Sequence, residues 1–120
     1  MKTLPFTLLP ALLAATLALP AGTTRAQAAE RAPSPSCRAA LASPVAGLIK
    51  LQPLGPGLWL VPGQDGDSQA ANRGLISNLL LLADGPRTWL LGSGPSAAFG
   101  AALACRVRTE LGRRITDVIA

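Results

Sequence analysis

The reading of the fold turns on Leu75-Ile76-Ser77-Asn78-Leu79-Leu80-Leu81-Leu82, followed by the turn Asp84-Gly85-Pro86 and the return Arg87-Thr88-Trp89-Leu90-Leu91. A near-continuous apolar run of this length suits a strand covered on both faces. Its return after a Gly-Pro turn predicts an antiparallel hairpin. Gly92-Ser93-Gly94-Pro95 then breaks the second strand and opens a helix, with proline in the first turn, where its missing N–H costs nothing. Phe99, Ala102, Leu103, Val107 and Leu111 fall on one helical stripe, while Arg106, Arg108, Glu110 and Arg113 mostly take the other side. Gly112 stands where a left-handed residue ends a helix, with Arg113 and Arg114 near the negative end of the dipole. Residues 115–120 begin a further strand. Strand, helix and strand imply a right-handed parallel crossover, so the helix covers one sheet face. No obvious segment covers the other.

Towards the N-terminus, Pro62 to Gly74 is a polar loop carrying Asp65, Asp67, Asn72 and Arg73. Before it, residues 48–52 and 58–61 are short strand candidates, separated by the turn Pro53-Leu54-Gly55-Pro56-Gly57. The class is therefore α/β, in the order β-β-β-β-α-β. Residues 29–47 read as a Pro-rich linker. Pro33, Pro35 and Pro44 favour extended chain, and Ser36 to Leu41 offers at most one capped turn.

Residues 1–28 read as a signal peptide. Lys2 is the last charge before Arg25, Leu4 to Pro20 is apolar apart from Thr7 and Thr16, and Ala26-Gln27-Ala28 supplies the small-x-small pattern for cleavage before Ala29. A retained anchor is the alternative, because the uncharged stretch from Thr3 to Thr24 is long enough to span a bilayer. Pro5, Pro10 and Pro20 make that stretch a poor uninterrupted helix. The expected location is periplasmic or secreted, without stable membrane association after cleavage. No Arg-Arg pair precedes the apolar run, which favours the general secretory route.

Removing Lys2 and Arg25 leaves nine of the eleven basic residues against six acidic ones, a net charge of +3. That is an ordinary surface charge, and no nucleic-acid partner is expected. An oxidising destination makes Cys37 and Cys105 a candidate disulfide. In the alternative, Cys105 is a small buried apolar residue on the helix.

The chain contains no histidine, which excludes a Ser-His-Asp triad, a Cys-His pair and a histidine-bound metal. Gly92-Ser93-Gly94-Pro95-Ser96-Ala97 fits the loose pattern G-x-G-x-x-A, but a hairpin precedes it and Asp117 lies inside the next strand candidate. A turn that lets the helix pack close to the sheet fits better than a nucleotide site. Ser93 and Ser96 have only Lys50 as a candidate base, with no supporting spacing. Asp65-Gly66-Asp67 lacks the later ligands of a calcium loop and reads as a solvated turn. Arg106, Arg108, Arg113 and Arg114 read as a solvated helix end. No catalytic, cofactor-binding or metal residue is assigned.

Taken in order, residues 51–120 resemble the N-terminal portion of a metallo-β-lactamase-fold hydrolase. Leu54 to Gly63 resembles the opening hairpin of that family. Asn72-Arg73-Gly74-Leu75-Ile76-Ser77-Asn78-Leu79-Leu80 resembles its asparagine-bearing strand after a polar loop, and Gly92-Ser93-Gly94 stands where the family has an Asp-Thr-Gly turn. The resemblance implies an αββα sandwich and hydrolysis by a metal-bound hydroxide in full-length relatives, where zinc is expected. Gly92 replaces the family's turn aspartate, and the motif His-x-His-x-Asp-His would follow a strand like residues 115–120. The expected protein is therefore an exported, hydrolase-like chain with a truncated domain and no catalysis of its own. The competing expectation is a small periplasmic binding or structural module stabilised by one disulfide. Either way, an uncovered apolar sheet face is expected to favour self-association.

Overall fold

A computed structural model describes residues 33–120; the expected leader and the first residues of the linker lie outside the described residues. The chain forms α1 (Pro35–Leu41), a 3-10 turn (Pro44–Leu48), β1 (Gln52–Gly55), β2 (Leu58–Val61), β3 (Leu79–Asp84), β4 (Arg87–Leu91), α2 (Ala97–Leu111) and β5 (Asp117–Ile119). One sheet holds the five strands in the order β1-β2-β3-β4-β5. Pairing is antiparallel from β1 to β4 and parallel between β4 and β5. The fold is mixed α/β, with the expected β3–β4 hairpin and the expected crossover through α2.

The helix forms where its stripe placed it. Phe99, Ala102, Leu103 and Val107 are all buried, and Leu111 packs at the margin of the same core. Its start differs from expectation. Ser96 is the N-cap and accepts from the Phe99 N–H at 3.2 Å, so Pro95 stands just outside the helix and not in its first turn. A hydroxyl that satisfies an orphan N–H fixes the boundary more firmly than the tolerance of proline. At the other end Gly112 has φ 64°, the left-handed stop that only glycine adopts without strain.

The strands are displaced from their expected bounds. Leu75 to Asn78 precede β3. The Leu75 N–H donates to the Asn72 carbonyl, the Leu75 carbonyl accepts from Gln64 N–H, and Asn78 Oδ1 accepts from Gly63 N–H at 2.9 Å. These residues are held by loop bonds and not by the ladder, although Leu75 is fully buried. Strand β1 likewise begins at Gln52, leaving Leu48 to the 3-10 turn and Ile49 to the core. The expected linker also carries structure. Pro35 occupies the first turn of α1 behind the Ser34 cap, and the 3-10 turn sends Val45 and Ala46 into the core. Proline there starts helices where extended chain was expected.

The core lies between one face of the sheet and the helical segments. Val61, Leu79, Leu81 and Leu90 point to it from the strands, Val45, Ala46 and Ile49 from the 3-10 region, and Phe99, Leu103 and Val107 from α2. Cys37 and Cys105 form a disulfide with their Cα atoms 5.4 Å apart, joining α1 to α2. Among the described residues, no helix is long and apolar enough to cross a membrane.

Candidate functional site

Two regions bear on function. The first is a cleft of about 300 Å³ beside the Gly92-Ser93-Gly94 turn, reached also by Ser77, Asn78 and Ala120. It stands at the carboxyl ends of β4 and β5, where open α/β sheets commonly take ligands. Its walls follow from local sequence. Gly92 and Gly94 have φ of 92° and 76°, and a Cβ on Gly94 would run into the Phe99 ring. The Gly92 N–H donates to the Ile119 carbonyl at 2.7 Å, which closes the turn onto β5. The glycines therefore bring the turn close to the helix and sheet, the packing role read from the sequence.

Ser77, Asn78 and Ser93 are the cleft's polar lining residues, and Asn78 accepts from Gly63 N–H; the nearby Ser96 and Asn72 serve the fold. Ser96 is committed to the helix cap. Lys50 is exposed and does not line the cleft, so it is not placed as a base for Ser93. Asn72, only 5% exposed, clamps the preceding loop. Its Oδ1 accepts from the N–H groups of Gln69 and Gly74, and its Nδ2 donates to the Asp67 carbonyl at 2.8 Å. Asp65 and Asp67 are exposed on that loop, and among the described residues no three Cys, Asp or Glu side chains gather as a metal-binding group. Both thiols are spent in the disulfide, and glycine stands at the turn position of the aspartate that the resemblance implies.

The arginines were read as a solvated helix end, and two of them depart from that reading. Arg113 donates from Nε to Thr88 Oγ1 at 2.9 Å and from Nη2 to the carbonyls of Gly85 and Arg87. It ties the end of α2 to the β3–β4 hairpin, over a threonine that is fully buried. Arg106 pairs with Glu110 and donates from Nη2 to the Ala46 carbonyl at 3.0 Å, fastening the 3-10 turn to α2. Arg108 and Arg114 are exposed, beside a smaller cleft next to Cys37. Planar guanidinium forks suit several carbonyls at once, a use that sequence spacing does not reveal.

The second region is the sheet face turned away from the helices. Register aligns Leu60, Leu80, Leu91 and Ile119 in one row across β2 to β5. The adjacent row on that face is Leu58, Leu82, Trp89 and Asp117. Alternation along β3 makes the division plain: Leu79 and Leu81 are buried, Leu80 is half-buried and Leu82 is 42% exposed. Ile119 is 54% exposed on the outer strand. At one end, Arg87 grips Asp117 through two hydrogen bonds of 2.9 and 3.2 Å and lies 4.8 Å from the Trp89 ring centre. The single acid of these two rows thus has its counter-ion, and the remaining seven positions are apolar. The run Leu79 to Leu82 is apolar on both faces, and the described residues cover one.

No protein-family model matches the chain, and no curated protein matches it either.

Proposed function

We propose that this chain is an exported, metallo-β-lactamase-fold hydrolase-like protein whose described residues build one helix-and-sheet layer and carry no metal catalysis. The observation that supports this reading is the one-sided sheet. Helices and the 3-10 turn close one face over β2 to β4, leaving Val118 of β5 exposed at its edge, while the other presents two rows of large apolar side chains. One such layer is half of an αββα sandwich, in which a second sheet packs about 10 Å away over the same leucines. The β-hairpins and the crossover through α2 fit the partial sandwich that the resemblance implies, while the glycine turn after β4 departs from the family's Asp-Thr-Gly. The disulfide between α1 and α2 accords with a periplasmic or secreted location.

The side chains support the reading without metal catalysis. The family's zinc ligands are mostly histidines, and the sequence has none. Ser77, Asn78 and Ser93 line the cleft, with no lysine, arginine or carboxylate side chain among its lining residues. A second reading, a small binding or structural module stapled by one disulfide, draws on the same disulfide and on the cleft beside Gly92.

Metal analysis and hydrolysis assays on the purified protein test the proposal. After dialysis the protein is expected to retain well under one zinc per chain and to show no chelator-sensitive hydrolysis of esters or lactams. Stoichiometric zinc with chelator-sensitive turnover contradicts it.

A further inference from the structure

We infer that the open sheet face is the interface of a homodimer, in which two copies stack sheet against sheet and complete an αββα sandwich between chains. The inference rests on the one-sided layer described above, and not on the lack of zinc.

Three observations favour a second copy. First, the face is apolar through its middle. The row of Leu60, Leu80, Leu91 and Ile119 holds no polar side chain, and the next row is polar only at Asp117, which Arg87 neutralises. Such a surface complements another apolar, pleated surface, and its own duplicate is one of matching width and spacing. Closed two-fold pairing of identical patches is the commonest arrangement of homo-oligomers.

Second, the size is right for a modest dimer. Strands β2 to β5, about 4.8 Å apart and three to six residues long, present a footprint of roughly 300 Å²; Gln52 of β1 adjoins it at Leu60. Covering it on two copies removes roughly 600–900 Å² of accessible surface, the range of a weak, transient interface. A patch of this size equals the largest that a typical soluble monomer leaves open, and such patches are often functional. Burial of this size suits a reversible dimer, not an obligate one.

Third, the surroundings of the face do not suit a lipid surface. Interfacial binding wants free lysines or arginines around the apolar face. Arg87, the cation on this side of β4, is bound to Asp117 and stacked on Trp89, and Asp84 adds a negative charge at the same end. With the helices already on the far side of each sheet, the stacked pair leaves both helical layers outward.

The test is light scattering coupled to size exclusion on the purified, oxidised protein. At about 100 μM, where a micromolar dimer is nearly saturated, the expected mass is that of two chains, falling to one on dilution. Leu80→Arg, at the centre of the middle strand, is expected to give a folded monomer at every concentration. Arg108→Glu, on the exposed side of α2, is expected to leave the dimer intact. A wild-type monomer at about 100 μM overturns the inference, as does a dimer that survives Leu80→Arg or a polydisperse aggregate.

Should Leu80→Arg fail to fold, Leu80→Cys decides. Its labelling by a maleimide is expected to slow at least fivefold between dilute and concentrated protein, while labelling of Ala101→Cys on the helix surface stays constant. Labelling of Leu80→Cys that ignores concentration overturns the inference. Metal content read on the same preparation separates the two proposals. A zinc-free monomer defeats the dimer alone, and a zinc-loaded dimer defeats only the non-catalytic reading.

Discussion

Replacing both Cys37 and Cys105 by serine is expected to lower the midpoint of thermal unfolding by roughly 15–30 °C. The disulfide closes a sequence separation of 68 residues. Removing that constraint from the unfolded chain is worth about 4 kcal/mol on the loop-entropy estimate, and a small domain shifts by about 4–8 °C per kcal/mol. The native side of the balance points the same way. In α1 only Cys37 is buried, so the bridge is the principal anchor of a seven-residue helix that would be marginal by itself. The loss should therefore begin in α1, with its amides exchanging before those of β3 and β4. Circular dichroism melts of the double variant and the oxidised protein check the size of the effect. A midpoint change of only about 3 °C would mean that the remaining contacts already hold α1 in place.

Phe99→Ala is expected to cost about 3–5 kcal/mol, read as a fall in the urea midpoint at unchanged slope. Phe99 is fully buried, and its ring abuts Gly94, at a point where helix and turn approach closely. It is the only phenylalanine among the described residues, and its neighbours in the core are aliphatic. Truncation opens a cavity between α2 and the sheet. Because Gly94 adopts φ 76°, the turn resists collapse into the space. A cost below about 1 kcal/mol would show that the ring does not hold helix and sheet together.

The sequence makes some of this architecture plain and hides the rest for physical reasons. The stripe from Phe99 to Leu111 is legible because only a helix brings those positions to one side, and Gly112 is legible because few residues tolerate a left-handed stop. The β3–β4 hairpin follows from two apolar runs around Gly85-Pro86. The start of β3 does not, because apolarity reports burial and not backbone pairing: Leu75 is as buried as Leu81, yet its backbone bonds lie in a loop. Pro35 and Pro44 are ambiguous in isolation, since proline suits both extended chain and a helix start. The bond from Arg113 to Thr88 spans 25 residues and leaves no local trace.

The open face is the least legible feature. In a strand of alternating polar and apolar residues the solvent side announces itself. In Leu79-Leu80-Leu81-Leu82 both sides are leucine, and only the position of α2 distinguishes them. The cleft at the glycine turn was partly legible, as a close-packing turn. The polar role of Asn72 was not, although an asparagine shortly before Gly74 carries the signal of a side chain that caps its own loop.

The most direct measurement of the one-sided layer compares Leu80→Lys with Leu81→Lys by circular dichroism and thermal melting. The two residues adjoin on β3 and differ only in the face they occupy. Leu81 is fully buried between Trp59 and Leu90 of the neighbouring strands, so an ammonium there is unpaired and the chain is expected to lose its cooperative transition. Leu80 faces the open side, and its lysine variant is expected to keep a cooperative melt and native secondary structure. Cooperative melting of Leu81→Lys, or loss of folding in Leu80→Lys alone, would contradict the assignment of the faces.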